Sequence, residues 1–143
     1  MYKKILLPVS GQQQCRRSGQ ALRRALLIGD SDCEIVLLHV TEPISQMLGG
    51  KEREEVIEEN RNQALLLLKP LIDTLDKDGR SYHIRVEAGT PTERIVSVAS
   101  KEKVDLIIMF TDVVNGITDM LLGTITERVL RNSPVDLLAI RNP

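Results

Sequence analysis

The stretch best suited to grip a ligand is residues 110–124, FTDVVNGITDMLLGT, which ends on Gly123-Thr124 and runs into a helical pattern. At such a junction the free backbone N–H groups and the helix dipole favour an anion. Gly123 would let the backbone come close, and Thr124 would offer a hydroxyl to a phosphate. The other reading leaves Thr124 as an ordinary N-cap, supported by Glu127 three residues on. Charge argues against a triphosphate: Asp112 and Asp119 lie in this stretch and no Lys or Arg does. At an effective dielectric near 20 to 40, each carboxylate repels a nearby phosphate tail by about 1 kcal/mol or more. The remaining chemistry-bearing residues are scattered. His39 sits in an apolar run and His83 in an alternating one, so both read as structural. His39 is the nearer to a strand's carboxyl end. Cys15 and Cys33 form no CxxC pair, and HExxH, GxSxG and GxxxxGK[ST] are all absent. No catalytic constellation and no metal site are expected.

Something must position that stretch. Five apolar runs read as strands: Tyr2–Val9, Cys33–Val40, Tyr82–Glu87, Val104–Phe110 and Val135–Ile140. Continuous apolar runs suit strands buried on both faces, while the alternating third suits an edge. Helical patterns separate them. In the first, Cys15, Leu22, Ala25, Leu26 and Ile28 share a face and Gly29 is expected to cap it. The second runs from about Glu52 to Leu75, with Ile57, Ala64, Leu68, Leu71 and Leu75 inward and Pro70 expected to kink or divide it. The third covers Thr92–Lys103, with Ile95, Val96 and Ala99 inward. The fourth covers about Ile125–Asn132, with Ile125, Val129 and Leu130 inward. Thr90-Pro91-Thr92-Glu93 and Thr124-Ile125-Thr126-Glu127 both have capping-box form. The stretch from Thr41 to Gly50 reads as an exposed, mobile loop. Strict β-α alternation predicts an α/β fold: a single-domain, open, twisted, five-stranded and mostly parallel sheet with helices on both faces, spanning residues 1–143. Ligands of such sheets sit beyond the strands' carboxyl ends at the switch in strand order. That edge would gather the turn after Pro8, the turn after Val40 and the long stretch after Phe110.

Composition bounds the function. The chain has 143 residues, enough for one domain with a real core, and a net charge of −1. No basic field exists to hold nucleic acid or an anionic membrane. Tyr2, Tyr82 and Phe110 are the only aromatics, too few for a base-stacking platform. The N-terminal apolar run is too short for a signal peptide, and no stretch approaches ~18 apolar residues. A reducing, cytoplasmic compartment is expected.

The residues taken in order resemble the universal stress protein family. Tyr2-Lys3-Lys4-Ile5-Leu6-Leu7-Pro8-Val9 is similar to its first strand, and Leu37-Leu38-His39-Val40 to its second. Glu87-Ala88-Gly89-Thr90-Pro91-Thr92-Glu93-Arg94-Ile95 resembles its turn into the third helix, and Val104-Asp105-Leu106-Ile107-Ile108-Met109 its fourth strand. The most specific piece runs from Gly123-Thr124-Ile125-Thr126-Glu127 to Ser133-Pro134-Val135. The resemblance implies an adenine nucleotide alpha hydrolase-like fold. It also implies a homodimer, paired through the strand Val135–Ile140, that acts in stress response through protein partners. The family's ATP-binding members carry G-x2-G-x9-G-[ST] after the fourth strand. Laid on this chain, that motif meets Phe110 and Val113 where glycines belong; only Gly123-Thr124 matches, with Gly116 as an extra glycine. Ser10 stands where those members have Asp. The implied nucleotide site is therefore a vestige, at Pro8, Val9, Ser10, Val40, Met109, Gly116, Gly123, Thr124 and Ile125. Bulk at Phe110 and Val113 blocks the close backbone approach that glycine allows, and Phe110 is expected to plug the adenosine cavity. The expectation is thus a non-catalytic protein with no cofactor. ATP binding, as a nucleotide sensor, is the alternative. An enzyme of the related nucleotide-activating group would need a Ser-Gly-Gly-x-Asp-Ser loop, of which Ser10-Gly11 alone is present.

Overall fold

The apolar runs form one parallel sheet because their side chains are buried on both faces. Ile35, Val36, Leu37 and Leu38 are each fully buried in sequence, which requires a helical layer on either side. The computed structural model describes residues 1–10, 12–111 and 124–141, with the side chains of 12–17, 111 and 141 excepted. The strands are β1 (Tyr2–Pro8), β2 (Gly29–Thr41), β3 (Tyr82–Ala88), β4 (Leu106–Thr111) and β5 (Asp136–Arg141). They alternate with the helices α1 (Gln12–Ile28), α2 (Gly50–Asp78), α3 (Pro91–Glu102) and α4 (Thr124–Asn132). The order across the sheet is β3-β2-β1-β4-β5, with every pairing parallel. Ile5, Leu7, Ile35, Leu37 and Ile108 face α1 and α2. Leu6, Val36, Leu38, Ile107 and Met109 face α3 and α4. β3 is an edge strand, half-buried throughout, and β5 forms the other edge.

Several local expectations are corrected. Gly29 is not a left-handed cap: positive φ occurs at Gly50, Gly79, Gly89 and Lys103. The chain passes from α1 directly into β2. A Cβ on Gly29 would lie 2.9 Å from Cys33 Cβ and Sγ and 3.0 Å from the Ala25 carbonyl oxygen, so close approach explains the glycine. β2 begins earlier than its apolar run because Lys3 pairs with Asp30 at 2.6 Å and Asp32 at 3.5 Å, drawing that polar segment alongside β1. Pro70 does not divide α2, which runs unbroken through it. Pro70 is exposed, so the carbonyl it leaves without an N–H partner is on the solvent side. Ile57 is 49% exposed; the buried stripe of α2 begins only at Ala64. On α4 the buried residues are Thr126 and Val129, while Ile125 and Leu130 are exposed, one step out of the expected phase. On α3, Val98 is buried and Val96 half-buried. At α3, Thr90 occupies the N-cap with Pro91 following but makes no side-chain cap bond. Glu127 reaches forward to Arg131 at 2.7 Å.

Candidate functional site

β1 and β4 are paired only at Ile5–Leu106 and Leu6–Ile107. Beyond those pairs the strands diverge. This divergence coincides with the reversal of strand order, since β1, β2 and β3 step one way and β4 and β5 the other. An open α/β sheet forms its ligand crevice at such a point. On one side stand Pro8, Val9 and Ser10, and on the other Met109 and Phe110. Val9 stays tied to the neighbouring strand, its N–H donating to the Leu38 carbonyl at 2.8 Å.

The crevice holds a cavity of about 80 Å³ lined by Pro8, Val9, Ser10, Val40, Met109 and Ile125. Those residues were expected from the sequence, and the structure brings them together. Thr124 opens α4 and is exposed, and it is not part of the cavity's lining. Gly116 and Gly123, with the stretch that carries Asp112, Val113 and Asp119, lie outside the described residues. The lining also includes Ser18, Leu38, Pro91 and Ile95, which sequence reasoning missed. Pro91 and Ile95 come from the first turns of α3, and the Gly89-Thr90-Pro91 turn was the available clue. Ser18 is a buried polar residue of α1.

Phe110 borders the cavity but does not fill it. It is paired in register with Ile140 of β5 and packs against the α1–α2 side of the core. Met109 lies on the opposite face. The two side chains thus leave β4 on opposite faces of the sheet. No lining residue of the described part carries a charge.

His39 anchors the turn after β1. Its Nδ1 lies 2.9 Å from the Val9 carbonyl oxygen, and because a carbonyl only accepts, Nδ1 is the protonated nitrogen. His83 lies at the amino end of β3, level with Val36, far from the crevice. It belongs to the densest charge network among the described residues. His83 Nδ1 and Nε2 approach Glu34 and Glu102 at 2.5 and 3.0 Å. Lys4 and Arg85 reach Glu102 at 3.0 Å each. Burial pushes the Glu102 carboxyl up, but hydrogen bonds from His83, Lys4 and Arg85 outweigh it and hold the group at about 2. This network pins the edge strand to α3. Among the described residues no group of three His, Cys, Asp or Glu side chains is placed to hold a metal, and no helix is long and apolar enough to cross a membrane.

The profile of the universal stress protein family matches residues 1–141. Universal stress protein MJ0531 of Methanocaldococcus jannaschii is 29% identical over 150 residues, spanning 100% of this chain and 84% of that protein. The solved structure of MJ0577, from the same archaeon, has a TM-score of 0.71 at 28% identity, covering 100% of this chain and 98% of that one. A family protein from Arabidopsis thaliana, solved with AMP bound, has the same fold at 17% identity, with a TM-score of 0.69 over 99% of this chain and 92% of that one.

Proposed function

The chain belongs to the universal stress protein family, and from that premise we propose that it is a non-catalytic member acting in stress response through homodimerisation and protein partners, without ATP. The observation that supports this reading most is the size of the crevice. Small-molecule sites usually enclose roughly 300–1,000 Å³, whereas the cavity between the β1 and β4 ends is about 80 Å³. Two of its lining residues, Met109 and Phe110, are bulky side chains near the end of β4. Full burial of a side chain such as Met109, which is 7% exposed, contributes about 1.5–3 kcal/mol, so this packing at the crevice favours the fold.

The dimer is proposed through β5. Within one chain β5 is an edge strand, and Leu137, Leu138 and Ala139 are only half-buried. An apolar edge without Lys or Pro in its middle invites a partner strand. A cytoplasmic location and the absence of nucleic-acid partners belong to the same reading, supported by the near-neutral charge.

Calorimetric titration of the full chain with ATP and Mg²⁺ tests the site. We expect no binding tighter than ~100 μM; tighter binding would overturn the nucleotide-free reading. The alternative, a nucleotide sensor, draws support from Gly123-Thr124 in the sequence and from the AMP-bound relative. Replacing Phe110→Gly together with Val113→Gly should then raise affinity, because it restores the family's glycine spacing.

A further inference from the structure

A second cavity, of about 530 Å³, opens between the carboxyl end of β2, the segment that follows it and the front half of α2. It shares Val40 with the crevice and is otherwise separate from it. Its volume falls within the ordinary range for small-molecule sites, roughly 300–1,000 Å³, and it is open to solvent on one side, where Glu42, Pro43, Ser45 and Gln63 are exposed.

The polar groups of its lining include one carboxylate and several side chains that can accept a hydrogen bond. His39 lines the cavity, and its Nδ1–H is already given to the Val9 carbonyl. In the neutral ring, Nε2 is then a hydrogen-bond acceptor. Gln63, also in the lining, donates one amide N–H to Glu59 at 3.1 Å; its carbonyl oxygen remains able to accept and its second N–H to donate. Asn60 lies one turn away on the same helix. Glu42 is the one charged residue among the lining side chains described. The nearby cation, Arg53, donates to the Ser45 carbonyl at 3.3 Å, so it braces the rim.

The cavity also has an apolar strip, made by Ile44, Leu48 and Val56. A local turn holds the first two of these in place. The Ser45 hydroxyl accepts from the Met47 N–H at 3.2 Å, and the Leu48 N–H donates to the Ser45 carbonyl at 3.2 Å. An anionic ligand would face Glu42 with no Lys or Arg in the described lining. A positively charged donor with a short hydrocarbon body would meet a carboxylate, neutral acceptors and an apolar strip together.

We propose that this cavity binds a small aliphatic ammonium ligand, with Glu42 and the His39, Asn60 and Gln63 acceptors taking the charged head and Ile44, Leu48 and Val56 the tail. The site is independent of whether the crevice holds a nucleotide.

Titration of the ¹⁵N-labelled full chain with n-butylammonium chloride, followed by amide NMR, tests it. Sodium chloride at matched ionic strength and n-butanol, the neutral analogue, are the controls. Saturable shifts confined to residues 41–48 and 56–63 are expected, larger than those from n-butanol. Glu42→Gln should weaken binding about fivefold, the scale of one partly exposed ion pair. Asn60→Leu, which leaves every charge in place, should weaken it as well. Equal shifts with n-butanol would overturn the proposal. So would shifts that never saturate and spread over the acidic residues 52–59, or an affinity unchanged in Glu42→Gln.

Discussion

Glu102 carries a large share of the charge balance at the β3 edge, because one carboxylate serves Lys4, His83 and Arg85 at once. Its folded value of about 2 lies below the ordinary 4.5, so the unfolded chain takes up this proton first as pH falls. The network's stabilisation is therefore complete above pH 4.5 and is lost between there and about 2. One such group contributes up to about 3 kcal/mol. Urea denaturation at pH 6, 4 and 3 should show this decline, and Glu102→Gln should flatten it. An unchanged slope in that variant would assign the acid sensitivity elsewhere.

The elements are joined by a few identifiable clamps. Arg80 donates to the Asp30 carbonyl at 2.6 Å and the Leu26 carbonyl at 3.1 Å, and pairs with Asp78 at 2.9 Å. It thereby ties the end of α1, the start of β2 and the end of α2. The Leu26 carbonyl is among those a helix terminus leaves without an internal partner. Arg80→Ala should cost about 2–3 kcal/mol in chemical denaturation, the scale of hydrogen bonds to a charged donor. Lys103 ends α3 at φ +54°, a left-handed position where a Cβ is unfavourable. Lys103→Gly should raise stability by about 0.5–1 kcal/mol, seen as a higher denaturant midpoint. At this scale the sequence was informative about which elements exist and in what order, because apolar runs and helical spacing report burial directly. Helical phase was less legible. Ile125 and Leu130 point outward, and Ile57 lies ahead of the buried stripe, because local periodicity does not say how far along a helix the sheet extends. The crevice residues on strand ends were readable because topology alone gathers them. Ser18, Pro91 and Ile95 were not, since their presence depends on how α1 and α3 cross the sheet.

For the whole molecule, the proposed dimer rests on the half-buried edge strand β5. Sedimentation of the full chain at micromolar concentration should report a dimer, and Ala139→Lys, which puts a charge on that edge, should shift it toward monomer. A monomeric parent would remove the proposed interface. The short β1–β4 ladder matters at the same scale. Besides its two residue pairs, the joint is closed by Asp105. The Asp105 carboxylate accepts the Lys3 and Lys4 N–H groups at 2.8 and 3.1 Å, and its own N–H donates to the Lys4 carbonyl at 2.9 Å. The sheet is thus two well-laced panels with a narrow seam between them. What holds the two panels together across that line is mainly the core, since Leu106 and Ile108 share one cluster with Ile5 and Ile35 and Ile107 and Met109 share the other with Leu6 and Leu38; a cavity cut at Ile107 or Ile108 should therefore loosen the joint more than the loss of one ladder bond.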